Sequence, residues 1–465
     1  MALGKRGGKT GPLFVPTSAL PRSAGHPFYR KLNELLTEAR FDREVEALCE
    51  PYYAERKGRP SIPPGVYFRM LLVGYFEGID SQRGIAWRCA DSIALREFLG
   101  VGLTERSPDH SSLTVIRKRL PTELHESVFA LVLGIARDKK LLDGKTLGVD
   151  ATLLEANAAM KSIVRKDTAE DWKAYLRRLA QEAGIEDPSD DDLRRFDKGR
   201  GSAKKVSNED WESKTDPDSR ISKLKDGRTH MAYKAEHAVD LGSQIIVAAT
   251  IQPGSRGDTE SLSTTLTDAQ AMLATIGHET AIEELVADKG YHSAATLTAC
   301  AEAGLRTYIS PKKVSGRRRW TDKSEDTKRA VLGNQRRALG DRGRRLSKQR
   351  GEKVERTFAH VCDAGGARRS WLRGFESVTK RYLITVAAHN LGRIMFTLFG
   401  IGKPRALQGE IAALAAVVAL VALLPAWRAA ANGHFAGMVI VLATGLAAVT
   451  LVPQPLQPAT RRCSG

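Results

Sequence analysis

The alternation of short apolar runs with amphipathic ones over the second third of the chain most constrains its fold. KTLGVDAT reads as a strand with Leu147 and Val149 facing one way. THMAYKAEHAVD and QIIVAATIQPG read as two strands joined by the turn DLGS. DTESLSTTLTDAQAMLATIG has an acidic first turn and an apolar stripe, which predicts a helix. ELVAD is the next strand, SAATLTACAEAG a helix ending at Gly304, and RTYISP another strand. Strands that alternate with helices specify an α/β sheet of mixed direction. Two of these strands reach an acid, Asp150 in LGVDAT and Asp288 in ELVADKGYHS. Taken alone, a strand-terminal Asp reads more often as a turn cap than as a catalytic residue.

The flanking segments differ in kind. Residues 1–25 are rich in Gly, Pro, Ser and Lys and read as an arm; residues 26–53 have helical spacing, with Leu32, Leu35 and Leu36 on one face. Residues 58–140 read as a compact helical domain of short, capped helices, one of them with Leu113, Ile116 and Leu120 as its buried stripe. With Arg83, Arg88, Arg96, Arg117, Lys118 and Arg119 available outside, this suits a helix-turn-helix-like DNA contact or a plain bundle with a solvated basic face. Residues 141–400 form the sheet domain, and the polar stretch 155–225 within it reads as a helix and a long surface excursion. EKVERTFAHV is helical, with Val354, Phe358 and Val361 on one stripe, and SVTKRYLITVAAHNLGRIMFTLFG is a long helix that closes the core. Residues 401–465 carry two apolar runs near the lower limit for a membrane span, so a membrane hairpin and a packed tail both remain open, with membrane attachment the less expected.

Charge narrows the partners. The chain has 465 residues, with 72 Lys+Arg against 54 Asp+Glu, a formal +18. Such an excess favours polyanions, nucleic acid first. Residues 312–356 concentrate it, with seventeen Lys/Arg and six Asp/Glu, and suit a surface that tracks phosphates. Five scattered cysteines without a CxxC pair argue against a zinc ribbon or a disulfide framework and fit a reducing cytoplasm. The N-terminal segment lacks an apolar core of signal-peptide length, so secretion is not expected.

If the strands bearing Asp150 and Asp288 lie side by side and parallel, the two carboxylates fall together at one edge. Carboxylates that close repel and resist joint ionisation. Divalent cations remove that problem, and Mg²⁺ prefers hard oxygen ligands with open positions. Glu355 is the candidate third acid, with Glu352 as its nearby rival. Two metals would activate an attacking oxygen and stabilise a leaving one at a phosphodiester. His237, His292 and His360 are candidates to orient a ligand but read more simply as surface or core histidines, and Trp320 reads as a packing residue or a base-stacking one.

Several stretches resemble bacterial insertion-sequence transposases of the DDE type: GKTLGVDATLLEANAAMKSIVRKD, HMAYKAEHAVD, VADKGYHS, VERTFAHVCDAGGARRSWLRG and KRYLITVAAHNLGRIM, together with the helical stretches of 58–120. The resemblance covers about residues 40–400. It implies an RNase H-like catalytic core, a mixed sheet flanked by helices, preceded by an all-α DNA-binding domain. It also implies Asp150, Asp288 and Glu355 as the catalytic, metal-binding acids, with two Mg²⁺ ions (or Mn²⁺) as cofactor. The implied chemistry is hydrolysis at transposon ends, then attack of the freed 3′-hydroxyl on target DNA. The partners would be double-stranded DNA, as terminal inverted repeats and target, and a second copy of the chain in the DNA complex, with no small-molecule substrate. The expected location is the cytoplasm, at the nucleoid. Many relatives carry Tyr, Arg and Lys where this chain has Lys348, Gly351 and Cys362. Arg350, Arg356, Arg368 and Arg369 are then the candidate phosphate contacts, with Lys289 and Tyr291 beside Asp288. These departures keep a second reading open, a non-catalytic DNA-binding protein derived from a transposase.

Overall fold

The computed structural model describes residues 16, 27–54, 58, 61–201, 207–312 and 320–404. Most of the N-terminal arm, the densest part of the basic run (313–319) and the apolar tail from 405 lie outside the described residues.

The first seven elements are helices: α1 Pro27–Glu38, α2 Phe41–Cys49, α3 Pro64–Glu77, α4 Gln82–Asp91, α5 Ile93–Leu99, α6 His110–Arg119 and α7 Thr122–Asp138. Local chemistry sets their ends. The Ser81, Ser92 and Asp109 side chains accept from the first-turn amides of α4, α5 and α6. Gly78 and Gly100 end α3 and α5 with positive φ, which glycine adopts without a Cβ penalty. The predicted stripes are buried: Leu32, Leu35 and Leu36 on α1, and Leu113 and Ile116 on α6 with Leu120 just beyond it. Several basic residues of this region are already engaged. Arg88 pairs with Glu77, Arg119 lies over the Tyr53 ring, and Arg96 donates to the Gly102 and Glu105 carbonyls.

The sheet domain is built from β1 Thr146–Glu155, β5 Thr229–Asp240, β6 Ile246–Pro253, β7 Glu284–Ala287 and β8 Arg306–Ile309, with β4 Arg220–Lys223 paired to the start of β5. The strand order is β6-β5-β1-β7-β8. β7 and β8 run parallel to β1, while β5 is antiparallel to both β1 and β6. This is the mixed, helix-flanked sheet of an RNase H-like core. Helix α10 Asp258–Thr275 packs on β5 and β6. Helix α11 Ala294–Glu302 leads into β8, and α12 Glu325–Leu339 packs on both. Helix α13 Asp341–Phe358 crosses β5, β1 and β7, and α14 Phe375–Phe399 packs on β6. Asn390 of α14 and Asn334 of α12 each use the side-chain amide to bond both backbone groups of one residue, Ile246 on β6 and Ile309 on β8. Each outer strand is thereby met by a helix instead of presenting bare backbone groups there.

Helix α14 also packs against α3 and α7, so the helical region and the sheet share one closing helix. The polar stretch 155–225 is more ordered than its composition suggests. It forms the two-stranded sheet β2 Ile163–Arg165 with β3 Trp211–Ser213, and the helices α8 Trp172–Glu182 and α9 Asp190–Gly199. A small core of Leu176, Ala180 and Leu193 with Trp172 and Phe196 holds these helices together. Among the described residues no helix is long and apolar enough to cross a membrane.

Candidate active site

Register brings the two strand acids together. β1 and β7 pair in parallel through Gly148↔Val286, and two residues further on stand Asp150 and Asp288. Asp150 Oδ1 accepts from the Ala151 amide at 2.8 Å, and Oδ2 accepts from Arg350 Nη1 on α13 at 2.6 Å. Burial raises the Asp150 carboxyl above the ordinary range; Arg350 opposes the rise, and the charge of Asp288 adds to it. Asp288 Oδ1 accepts from the Gly290 amide at 2.7 Å and so caps the short turn Lys289–Tyr291. The turn-cap and site readings of this residue are therefore compatible, because one oxygen caps while the other has no hydrogen-bond partner among the described residues.

Two glycines permit the close packing. A Cβ on Gly148 would lie 2.6 Å from Leu241 Cδ2 and 2.8 Å from Val354 Cγ2, so the bare glycine lets α13 seat on β1 two residues before Asp150. Gly290, whose φ is not positive, supplies space in this turn, since a Cβ there would collide with Asp258 Oδ2 at the start of α10.

Glu355 follows the buried Val354 on α13 and is exposed. It is not gathered with the aspartates: among the described residues no three His, Cys, Asp or Glu side chains converge as metal ligands. Arg350 supplies the counter-charge at Asp150 instead.

The candidate DNA contacts divide. Lys289 is exposed, with no acidic partner among the described residues. Arg356 pairs with Glu352 at 2.8 Å. Arg368 bonds Asp363 and Thr152 Oγ1, and Arg369 lies 3.7 Å from Glu155 and over the Trp371 ring. Tyr291 must be corrected. Its side chain is 1% exposed and its hydroxyl donates to Glu236 Oε1 at 2.6 Å, so it braces the turn after Asp288 from inside and offers nothing to a phosphate.

Glu236 is the main feature that sequence reading missed. It is fully buried on β5, opposite Ala151, and accepts from Ser261, Tyr291 and Thr265. Lys234, also buried, lies 3.8 Å from Glu236 and bonds Asp258 at 2.6 Å and Ser261 at 2.8 Å. The i, i+2 spacing of Lys234 and Glu236 was the available signal, since it places both on one face of the strand. On the opposite face His237 stands across from Asp150, stacks on Phe358 at 4.1 Å, and bonds Thr357 and Tyr382. Burial lowers its pKa to about 3, so it is a neutral, fully bonded core histidine that ties β5 to α13 and α14.

Two family models match the chain. A transposase domain (DUF772) matches residues 18–119, and a transposase DDE domain matches residues 196–391. The chain belongs to the insertion-sequence DDE transposases. Asp288 and Glu355 of this transposase lie inside the DDE match, whereas Asp150 lies on the strand that precedes it. No curated protein and no solved structure matches the chain.

Proposed function

We propose that this transposase hydrolyses a phosphodiester bond at the ends of its element and joins the freed 3′-hydroxyl to target DNA. Asp150, Asp288 and Glu355 are its acidic residues in this reading, with two Mg²⁺ ions, or Mn²⁺, as cofactor. The observation that carries the proposal is the parallel register that sets Asp150 beside Asp288 at the end of β7. The donor set suits the ion, because Mg²⁺ is commonly bound by one or two carboxylates plus substrate phosphates and keeps its remaining waters. When bound, such ions activate an attacking oxygen and stabilise the leaving one. Asp150 is desolvated and faces a second carboxylate, and Arg350 opposes the resulting rise of its carboxyl pKa. Glu355, one residue past the α13–β1 contact, is exposed and free to approach substrate. Lys289, exposed beside Asp288, offers a cation to a phosphate, and a dimer on DNA brings two ends together.

The proposal is tested by incubating purified full-length protein with a plasmid that carries the inverted repeats flanking its reading frame. Strand cleavage with Mg²⁺ or Mn²⁺, abolished by EDTA, is expected; tight DNA binding without any metal-dependent product contradicts it. That second outcome is what a non-catalytic DNA-binding derivative predicts. One observation favours it: Cys362, where many relatives have Lys, is 1% exposed, and burial pushes its thiol up to about 11, so it replaces no cationic contact.

Arg350→Gln supplies a pH test. Arg350 lowers the Asp150 pKa, so its loss lets the pKa climb further above the ordinary carboxylate range. The acid limb of the cleavage-rate profile is expected to move to higher pH, because the ionised form then appears later as pH rises. An unmoved limb contradicts the role given to the pair.

A further inference from the structure

Beside the carboxylate pair lies a cleft of about 560 Å³, walled by Ala151–Leu153 of β1, the β4–β5 turn, and the segment that leads from β6 into α10. Its charges do not cancel. The acids that line it are committed: Asp258 to Lys234 at 2.6 Å, and Asp226 to His230 at 2.9 Å. Lys223, Lys225 and Arg256 line it too, and none of them has an acidic partner among the described residues. Arg368 lines the cleft as well, bonded to Thr152 on its wall and paired with Asp363 at 3.0 Å. The lining sets Lys223, Lys225, Lys234, Arg256 and Arg368 against Asp226 and Asp258, an excess of three positive charges that raises the local positive potential and favours a polyanion there. A cleft of this volume is in the range that encloses one small ligand, which suits a nucleotide-sized stretch of one strand.

We propose that this cleft binds the sugar–phosphate backbone of one DNA strand as it leaves the Asp150–Asp288 pair, through Lys223, Lys225 and Arg256. The inference rests on the DNA-processing reading above and adds a path for the strand. Asp258 is the link: it lines the cleft, and its Oδ2 and Asp288 Oδ1 both lie within 3 Å of where a Cβ on Gly290 would sit, so the cleft adjoins the turn that follows Asp288.

The test uses full-length protein, a mixed-sequence duplex carrying a single-stranded oligothymidine tail, and the same duplex blunt. Affinity is measured by fluorescence anisotropy across a range of NaCl concentrations. Each phosphate contact on a single strand contributes about 0.7 to the slope of log affinity against log salt. The parent is expected to show a steeper slope on the tailed probe than on the blunt one. Lys223→Ala, Lys225→Ala and Arg256→Ala combined should lower the tailed slope by about two and leave the blunt slope and the thermal melt unchanged. The charge-preserving set Lys223→Arg, Lys225→Arg and Arg256→Lys should restore it. Equal tailed slopes for parent and alanine variant, with both still binding DNA, overturn the strand path while leaving the DNA reading intact. A parent that binds neither probe at low salt overturns both.

Discussion

Asp288→Asn is expected to lower metal-dependent cleavage by about a hundred- to a thousand-fold, the scale on which removing one preorganised electrostatic group acts, while DNA binding persists. The substitution is nearly isosteric, and an Asn Oδ1 still accepts from the Gly290 amide, so the turn over Lys289–Tyr291 keeps its cap. What is lost is the negative charge that shares the end of the sheet with Asp150. The charge of Asp288 raises the Asp150 pKa, so the variant should show Asp150 ionising at lower pH than in the parent. In metal-free protein the repulsion between the carboxylates is also relieved, so the melting temperature should hold or rise. Loss of cleavage with an unchanged melt separates chemistry from folding. Undiminished cleavage by this variant removes Asp288 from the mechanism.

The second large effect concerns stability. Glu236→Ala is expected to cost about 3–5 kcal/mol, the range for breaking a buried ion pair by removing one partner. Three hydroxyl donors, those of Ser261, Thr265 and Tyr291, lose their acceptor at once. Lys234, 3% exposed, keeps Asp258 as its remaining counter-charge. Glu236→Gln retains an acceptor and should cost less. Urea unfolding of both variants and of Lys234→Met combined with Glu236→Gln measures the coupling. A Glu236→Ala cost within the range of an ordinary surface substitution, about 0.5 kcal/mol, contradicts the network. Because Tyr291 braces the turn that follows Asp288, Glu236→Ala should also weaken metal binding at the site.

Much of the fold was legible because periodicity reports burial directly. The stripes Leu147/Val149 and Val354/Phe358/Val361 are buried as their spacing requires. The order of strands and helices through the sheet domain follows the alternation in the sequence. The stretch 155–225 was not legible, since its few apolar residues are spread thinly. Its order comes from Trp172, Tyr175 and Trp211, whose rings meet within 6 Å, with the Arg165 guanidinium near two of them. Asp288 was legible as a strand end and directly follows β7, whereas Asp150, read the same way, lies mid-strand because β1 continues to Glu155 against β5. Their surroundings were not. The Arg350–Asp150 pair spans 200 residues of chain, and no local pattern signals a contact of that range. Tyr291 looked like a surface aromatic behind an acid, and only the buried Glu236 on another strand explains its inward direction.

In the proposed mechanism Asp150 and Asp288 jointly hold a catalytic divalent ion. Anomalous diffraction from crystals of the full-length protein soaked in Mn²⁺ tests it most directly. An anomalous peak is expected between the two carboxylates, with the Arg350 guanidinium moved away from Asp150 Oδ2. A Mn²⁺-saturated crystal with no peak there, and with Arg350 still bonded to Asp150, would contradict it.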